Sequence, residues 1–104
     1  MASVPTAGNL QAYRIIVVDD AKQRAQLCAA CLNQSQVQEA PVCLVFLAAP
    51  KDSAVRYRSR GEYLYCIQDA ANACMMTSLL CAENGLGSCW VGAFKDPQVL
   101  EVFF

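Results

Sequence analysis

Residues 62–83 constrain this chain more than any other stretch. They contain neither proline nor glycine, and alanine, leucine, methionine and glutamate all favour a helix. Leu64, Ile67, Ala71, Cys74, Met75, Ser78 and Leu79 recur at helical spacing on one face. The other faces are also largely apolar. Such a helix is expected to be buried all round, so any fold must be built about it. Asn84-Gly85 supplies a stop, because glycine takes the left-handed conformation a helix end often needs. Asn72, Thr77 and Ser78 interrupt the apolar run, which argues against a membrane span.

Two β-branched or apolar runs precede it. Residues 15–18 read as a buried strand and residues 42–48 as a second. Asp19 and Asp20 can cap a helix over residues 21–32. Residues 33–38 read as a polar loop, and residues 50–61, which show no period, as another. Residues 89–94 read as a third, short strand. Asp96-Pro97 then opens a last helix, because proline is tolerated at the first helical position. No internal repeat or linker is evident, so residues 1–104 read as a single domain.

Hydrophobic residues make up 56% of the 104 and charged residues 16%, which is apolar for a small domain. Part of that excess is expected to form a subunit interface. The net charge of -1 speaks against a nucleic-acid partner, which needs a large basic surface. Arg56, Arg58 and Arg60 form a short basic cluster. It reads as a solvated loop, with contact to the phosphate of a nicotinamide cofactor as the alternative. Seven cysteines, an odd number, and no signal-peptide pattern imply reduced thiols and a cytoplasmic location. Cys28 and Cys31 have the spacing of a redox or zinc pair. They fall late in a helix, no second pair lies at ligand spacing, and the chain has no histidine. Inert thiols and no metal site are therefore expected.

Three segments carry a resemblance. Pro5-Thr6-Ala7-Gly8-Asn9-Leu10-Gln11-Ala12-Tyr13-Arg14 reads by itself as a turn-rich loop. Gly85-Leu86-Gly87-Ser88-Cys89-Trp90-Val91-Gly92 reads as a helix stop feeding a strand, with glycine allowing close backbone approach. Arg60-Gly61-Glu62-Tyr63-Leu64-Tyr65-Cys66-Ile67-Gln68-Asp69-Ala70-Ala71 opens the long helix. Together, and in their order along the chain, they resemble the FMN-dependent nitroreductase family. The first is similar to that family's Pro-Ser-x-x-Asn-x-Gln-Pro-Trp pattern. Thr6 stands at the serine, Asn9 and Gln11 match, and Ala12-Tyr13 departs from Pro-Trp while keeping an aromatic, which is expected to pack.

The resemblance implies an α+β fold: a mainly antiparallel central sheet flanked by helices around a long buried core helix, in a homodimer. It implies FMN as cofactor and NAD(P)H as hydride donor. A small-molecule acceptor such as a nitroaromatic or quinone would take the hydride from flavin N5. Implied cofactor contacts are Pro5, Thr6, Asn9 and Gln11 from the first segment and Ser88, Trp90, Val91 and Gly92 from the second. No side chain is implied as a nucleophile. Asp69, on a Gln-Asp-Ala-Ala pattern, is expected to find a hydrogen-bonded partner. Met75-Met76 stands where the family often has Gln-Asn and reads as packing. Asn33, Gln34 and Gln36 stand where some relatives present polar groups to the flavin. The family's Arg-x-Ser-x-Arg segment and its C-terminal extension have no counterpart here, so the chain reads as a fragment, a truncated form or a reduced natural form. Arg14 and the loop arginines are the substitutes that can be named for holding the cofactor phosphate. The alternative is a non-catalytic dimerising or partner-binding module of the same fold. If the resemblance misleads, the alternation of strands and helices gives a small three-layer α/β domain.

Overall fold

The computed structural model describes residues 4–104. Its elements, in chain order, are β1 (Tyr13–Val18), α1 (Ala21–Ala30), α2 (Ser35–Glu39), β2 (Cys43–Ala48), α3 (Pro50–Arg60), a π-helical turn (Gly61–Tyr65), α4 (Cys66–Glu83) and α5 (Asp96–Phe103). A one-turn 3₁₀ helix, Ala7–Asn9, precedes β1. β1 and β2 pair as a two-stranded antiparallel sheet. The Ala49 N–H donates to the Ala12 carbonyl at 2.9 Å, continuing the pairing beyond the strand ends. No helix among the described residues is long and apolar enough to cross a membrane.

The described chain groups into two compact units, residues 4–16 with 46–88 and residues 17–45 with 89–104. In the first, α4 buries Cys66, Asp69, Ala70 and Ala73. The kinked end of α3 leads into the π-helical turn, with Arg58 at φ 52° and ψ -129°. Gly61 is buried there, and a Cβ on it would lie 2.6 Å from the Ser53 carbonyl oxygen. No other residue fits without moving backbone. In the second unit, Leu27, Cys28, Cys31 and Val37 form a core against which Cys43, Val45, Val91, Val99 and Phe103 pack.

Helix ends follow local chemistry. The Asp20 carboxylate accepts from the Gln23 N–H at 2.9 Å, capping α1 as expected. The far end of α1 closes by a bond from the Asn33 N–H to the Cys28 carbonyl at 2.9 Å, with Leu32 at φ 58°. The end of α4 closes the same way. The Leu86 N–H reaches the Cys81 carbonyl at 2.8 Å, and Gly85 takes φ 75°.

Four local expectations are corrected. Residues 50–61 are mainly helix rather than loop. Pro50 and Asp52 are helix-start residues, but α3 buries only Ser53, so no hydrophobic period marks it. Residues 35–39 are a short helix that buries only Val37. Residues 89–94 have no regular secondary structure and no ladder partner among the described residues, so they form no strand. The long helix is not buried all round within this chain. The face with the most apolar residues leaves Ile67, Met75 and Leu79 more than half exposed. The face that packs inward uses cysteine, aspartate and alanine, whose small size permits close approach.

Candidate functional site

Residues 4–13 form a self-bonded knot in the first unit. The Asn9 N–H donates to the Thr6 carbonyl at 3.0 Å. Gln11 Nε2 lies 3.0 Å from the Val4 carbonyl, 3.0 Å from Thr6 Oγ1 and 2.8 Å from Asn9 Oδ1. The Gln11 backbone N–H also donates to Thr6 Oγ1, at 3.1 Å. The Tyr13 hydroxyl donates to Gln11 Oε1 at 3.2 Å, so the aromatic has a polar role besides packing. Gly8, Asn9 and Gln11 hold φ of 61°, 57° and 52°. Left-handed non-glycine residues are costly and persist only where their surroundings fix them. The bonds just named fix them here.

Long-range contacts seat this loop on α4. The Ala7 N–H donates to Asp69 Oδ1 at 3.2 Å, and Asn72 Nδ2 donates to the Pro5 carbonyl at 3.2 Å. Asp69 thus has a hydrogen-bonded partner, as expected. Its Oδ2, buried like the rest of the residue, has none among the described residues. Gly8 lies against Tyr57, where an added Cβ would sit 2.6 Å from the phenol oxygen. Spacing in the sequence brings Pro5, Thr6, Asn9 and Gln11 together. Asp69, Asn72 and Tyr57 are the supports that reading the loop alone does not find, since they lie far along the chain.

The second segment is built differently. Gly87 and Gly92 have nothing within 4 Å of a Cβ placed on them. Ser88 and Gly92 are exposed, Trp90 is 51% exposed, and Val91 is half-buried against the core of the second unit. Gln34 Nε2 bridges the Cys31 carbonyl at 3.0 Å and the Ala93 carbonyl at 2.8 Å. The Lys95 N–H donates to the Ala30 carbonyl at 3.0 Å. The end of α1 therefore holds this stretch where a sheet ladder was expected. Gln34 lies in the region read as polar loop, and its tethering of Ala93 has no sequence signal.

Charged and thiol groups complete the description. Arg14 is paired with Asp52 through a 2.5 Å contact, Arg60 Nε donates to the Tyr65 hydroxyl at 3.0 Å, and Arg56 lies over the Tyr57 ring. These side chains are exposed, where single ion pairs contribute little. All seven cysteines carry free thiols. Cys28 donates to the Gln34 carbonyl at 3.2 Å and Cys43 to the Val37 carbonyl at 3.0 Å. Burial pushes the Cys31 thiol up from its ordinary value, and the Cys28 and Cys43 thiols add to this. Burial also raises Cys43, against the lowering effect of the Arg24 guanidinium. Such thiols are poor nucleophiles at neutral pH. Among the described residues no group of three or more histidine, cysteine or acidic side chains could hold a metal ion.

A 1.65 Å crystal structure of a Bacillus subtilis protein described as a nitroreductase, ydfN, superimposes with a TM-score of 0.79 over 97% of this chain, at 20% identity. The likeness covers 64% of that protein's chain and establishes the nitroreductase-like α+β fold. An NADH dehydrogenase of Thermus thermophilus is 45% identical over 49 residues, which are 47% of this chain and 24% of that protein. This chain therefore spans about a quarter of the curated relative by sequence and under two thirds of the structural one. The nitroreductase family model matches residues 29–103. The chain belongs to the nitroreductase family.

Proposed function

We propose that this chain acts as a single nitroreductase-like domain of an FMN-dependent oxidoreductase. It would pass hydride from NADH or NADPH to an electron-poor small molecule such as a nitroaromatic or quinone. The observation that carries this reading is the knot of residues 4–13. Its Thr6 hydroxyl and Asn9 amide accept from Gln11 and keep their own hydrogens for a ligand. The pyrimidine edge of an isoalloxazine presents carbonyl oxygens, which such donors fit. Gly87 and Gly92, uncovered by any described atom, leave room for a flat ring to approach backbone. When bound, FMN supplies the hydride-accepting atom, and the protein's part is binding, orientation and electrostatics. Within the first unit Thr6 and Asn9 would bind such an edge; within the second, the backbone at Trp90, Val91 and Gly92 would face a flavin ring.

We assign the exposed face of α4 to a homodimer contact. Ile67, Met75 and Leu79 lie on it with exposed Ala71, and an apolar stripe of this kind usually marks an interface. Free thiols throughout suit a reducing, cytoplasmic setting. The same stripe favours the second reading, a dimerising module without flavin, because it needs a cover whether or not a cofactor is present.

Gel filtration of the chain after mixing with FMN separates the two. A dimer that carries flavin absorbance, bleached anaerobically by NADH or NADPH, supports the oxidoreductase. A dimer that elutes colourless supports the module.

A further inference from the structure

The free donors of residues 5–11 are set by one side chain, Gln11. Its amide orientation is fixed by the Val4 carbonyl, which can only accept, and the Tyr13 hydroxyl, which can donate or accept, suits it. Oε1 faces the Tyr13 hydroxyl at 3.2 Å, while Nε2 faces the Val4 carbonyl at 3.0 Å. Turning the amide over would set Oε1 against that carbonyl, two acceptors with no hydrogen between them. With Nε2 so placed, its hydrogens are shared among Val4, Thr6 and Asn9 oxygens. A hydroxyl oxygen accepts at most two hydrogen bonds and donates one. Thr6 Oγ1 already accepts two, from Gln11 Nε2 and the Gln11 backbone N–H. Its own hydrogen is therefore the valence left for a ligand. Asn9 is fixed in the same sense: Oδ1 accepts from Gln11, and no described group takes its Nδ2 hydrogens.

We propose that Tyr13, Gln11 and Thr6 form a relay that makes the Thr6 and Asn9 side chains present donors to a ligand edge of carbonyl-type acceptors. Gln11 is then a positioning residue. The sequence resemblance places it in contact with cofactor, but its polar atoms are spent inside the loop. Identifying the acceptor edge with a flavin rests on the reading above; the relay itself does not.

The test uses the full chain and Gln11→Glu, Thr6→Val, Thr6→Ser and Tyr13→Phe variants. At neutral pH the carboxylate introduced by Gln11→Glu accepts where the amide donated. It draws the Thr6 hydrogen inward and turns the Asn9 amide over, reversing the polarity of the surface. Titration with FMN and, separately, riboflavin should show Gln11→Glu and Thr6→Val weakened by about 10-fold or more for both, the scale of one lost ligand hydrogen bond. Thr6→Ser should stay within about 3-fold, because its hydroxyl survives. Equal binding by Gln11→Glu overturns the proposal. So does a loss confined to FMN, which would mean repulsion of the phosphate instead.

A flavin-free arm reads the relay directly. The Gln11 side-chain amide protons should exchange slowly with solvent in the wild-type chain and faster in Thr6→Val and Tyr13→Phe. Exchange as fast as that of a free glutamine overturns the relay. If the wild-type chain binds neither flavin, the flavin reading fails on its own and this arm decides the relay.

Discussion

Residues 4–13 and residues 85–94 both contain glycine and both resemble one family's motifs, though only the second lies within the family match, and they are held by different means. The first is closed by its own side chains, and Asp69 and Asn72 dock it on α4. Its Thr6 and Asn9 side chains keep donors that no described group uses. The second is anchored at its ends, by the α4 terminus at Leu86 and by Gln34 at Ala93, with glycines open to solvent between. Its spare capacity is backbone. Side-chain donors select the chemistry of an edge, and bare backbone admits a flat face.

That contrast can be stressed from either side. The largest effect is expected from Gly8→Ala. An alanine there meets both a left-handed φ of 61° and the Tyr57 hydroxyl at 2.6 Å. The strain is about 2–3 kcal/mol, read as a lower urea midpoint with faster exchange of the Ala7 amide. Amide exchange at Val91 should be unchanged. Gln34→Ala attacks the other stretch. It removes the bond to Ala93 and should cost about 1 kcal/mol. It should speed exchange at Val91 and alter Trp90 fluorescence while leaving Ala7 protected. If either variant loosens both stretches equally, the distinction between them fails.

The smallest effect is that of pH. Val91 packs on the core that holds Cys28 and Cys31, and burial raises the Cys31 and Cys43 thiols. A raised folded pKa means that the unfolded chain gives up its thiol protons first. The contribution is therefore fully present below the unfolded thiol value of about 8.5 and is lost as pH rises through the folded value. Denaturation midpoints measured from neutral to alkaline pH should fall less steeply in Cys31→Ala. Exchange at Val91 should respond to pH, after correction for intrinsic rates, more than exchange at Ala7 does.

What the sequence made legible was local. The strand of β1, the Asp20 cap and the Asn84-Gly85 stop depend on neighbours within a few residues, and each appears in the structure, but the burial expected of β1 holds only at Val18, with Val17 61% exposed. Thr6, Asn9 and Gln11 sit within six residues, so their spacing alone suggested one cluster. Readings that depended on a distant partner fared worse. An extended run becomes a strand only beside another, and residues 89–94 have no such neighbour among those described. α3 lacks a hydrophobic period because it buries so little. On α4 the richest apolar face was legible, but apolar content does not tell whether a face packs within the chain or against another molecule. Asp69 and Asn72 lie 62 and 67 residues from their loop partners, a separation no motif spacing encodes.

The most direct measurement is a titration of isotope-labelled chain with FMN, following backbone and side-chain amide resonances. The account predicts saturable shifts at Thr6 and Asn9 together with Trp90, Val91 and Gly92, and little change at α2. Shifts confined to the arginines of α3, or no shift at any flavin concentration, would contradict it.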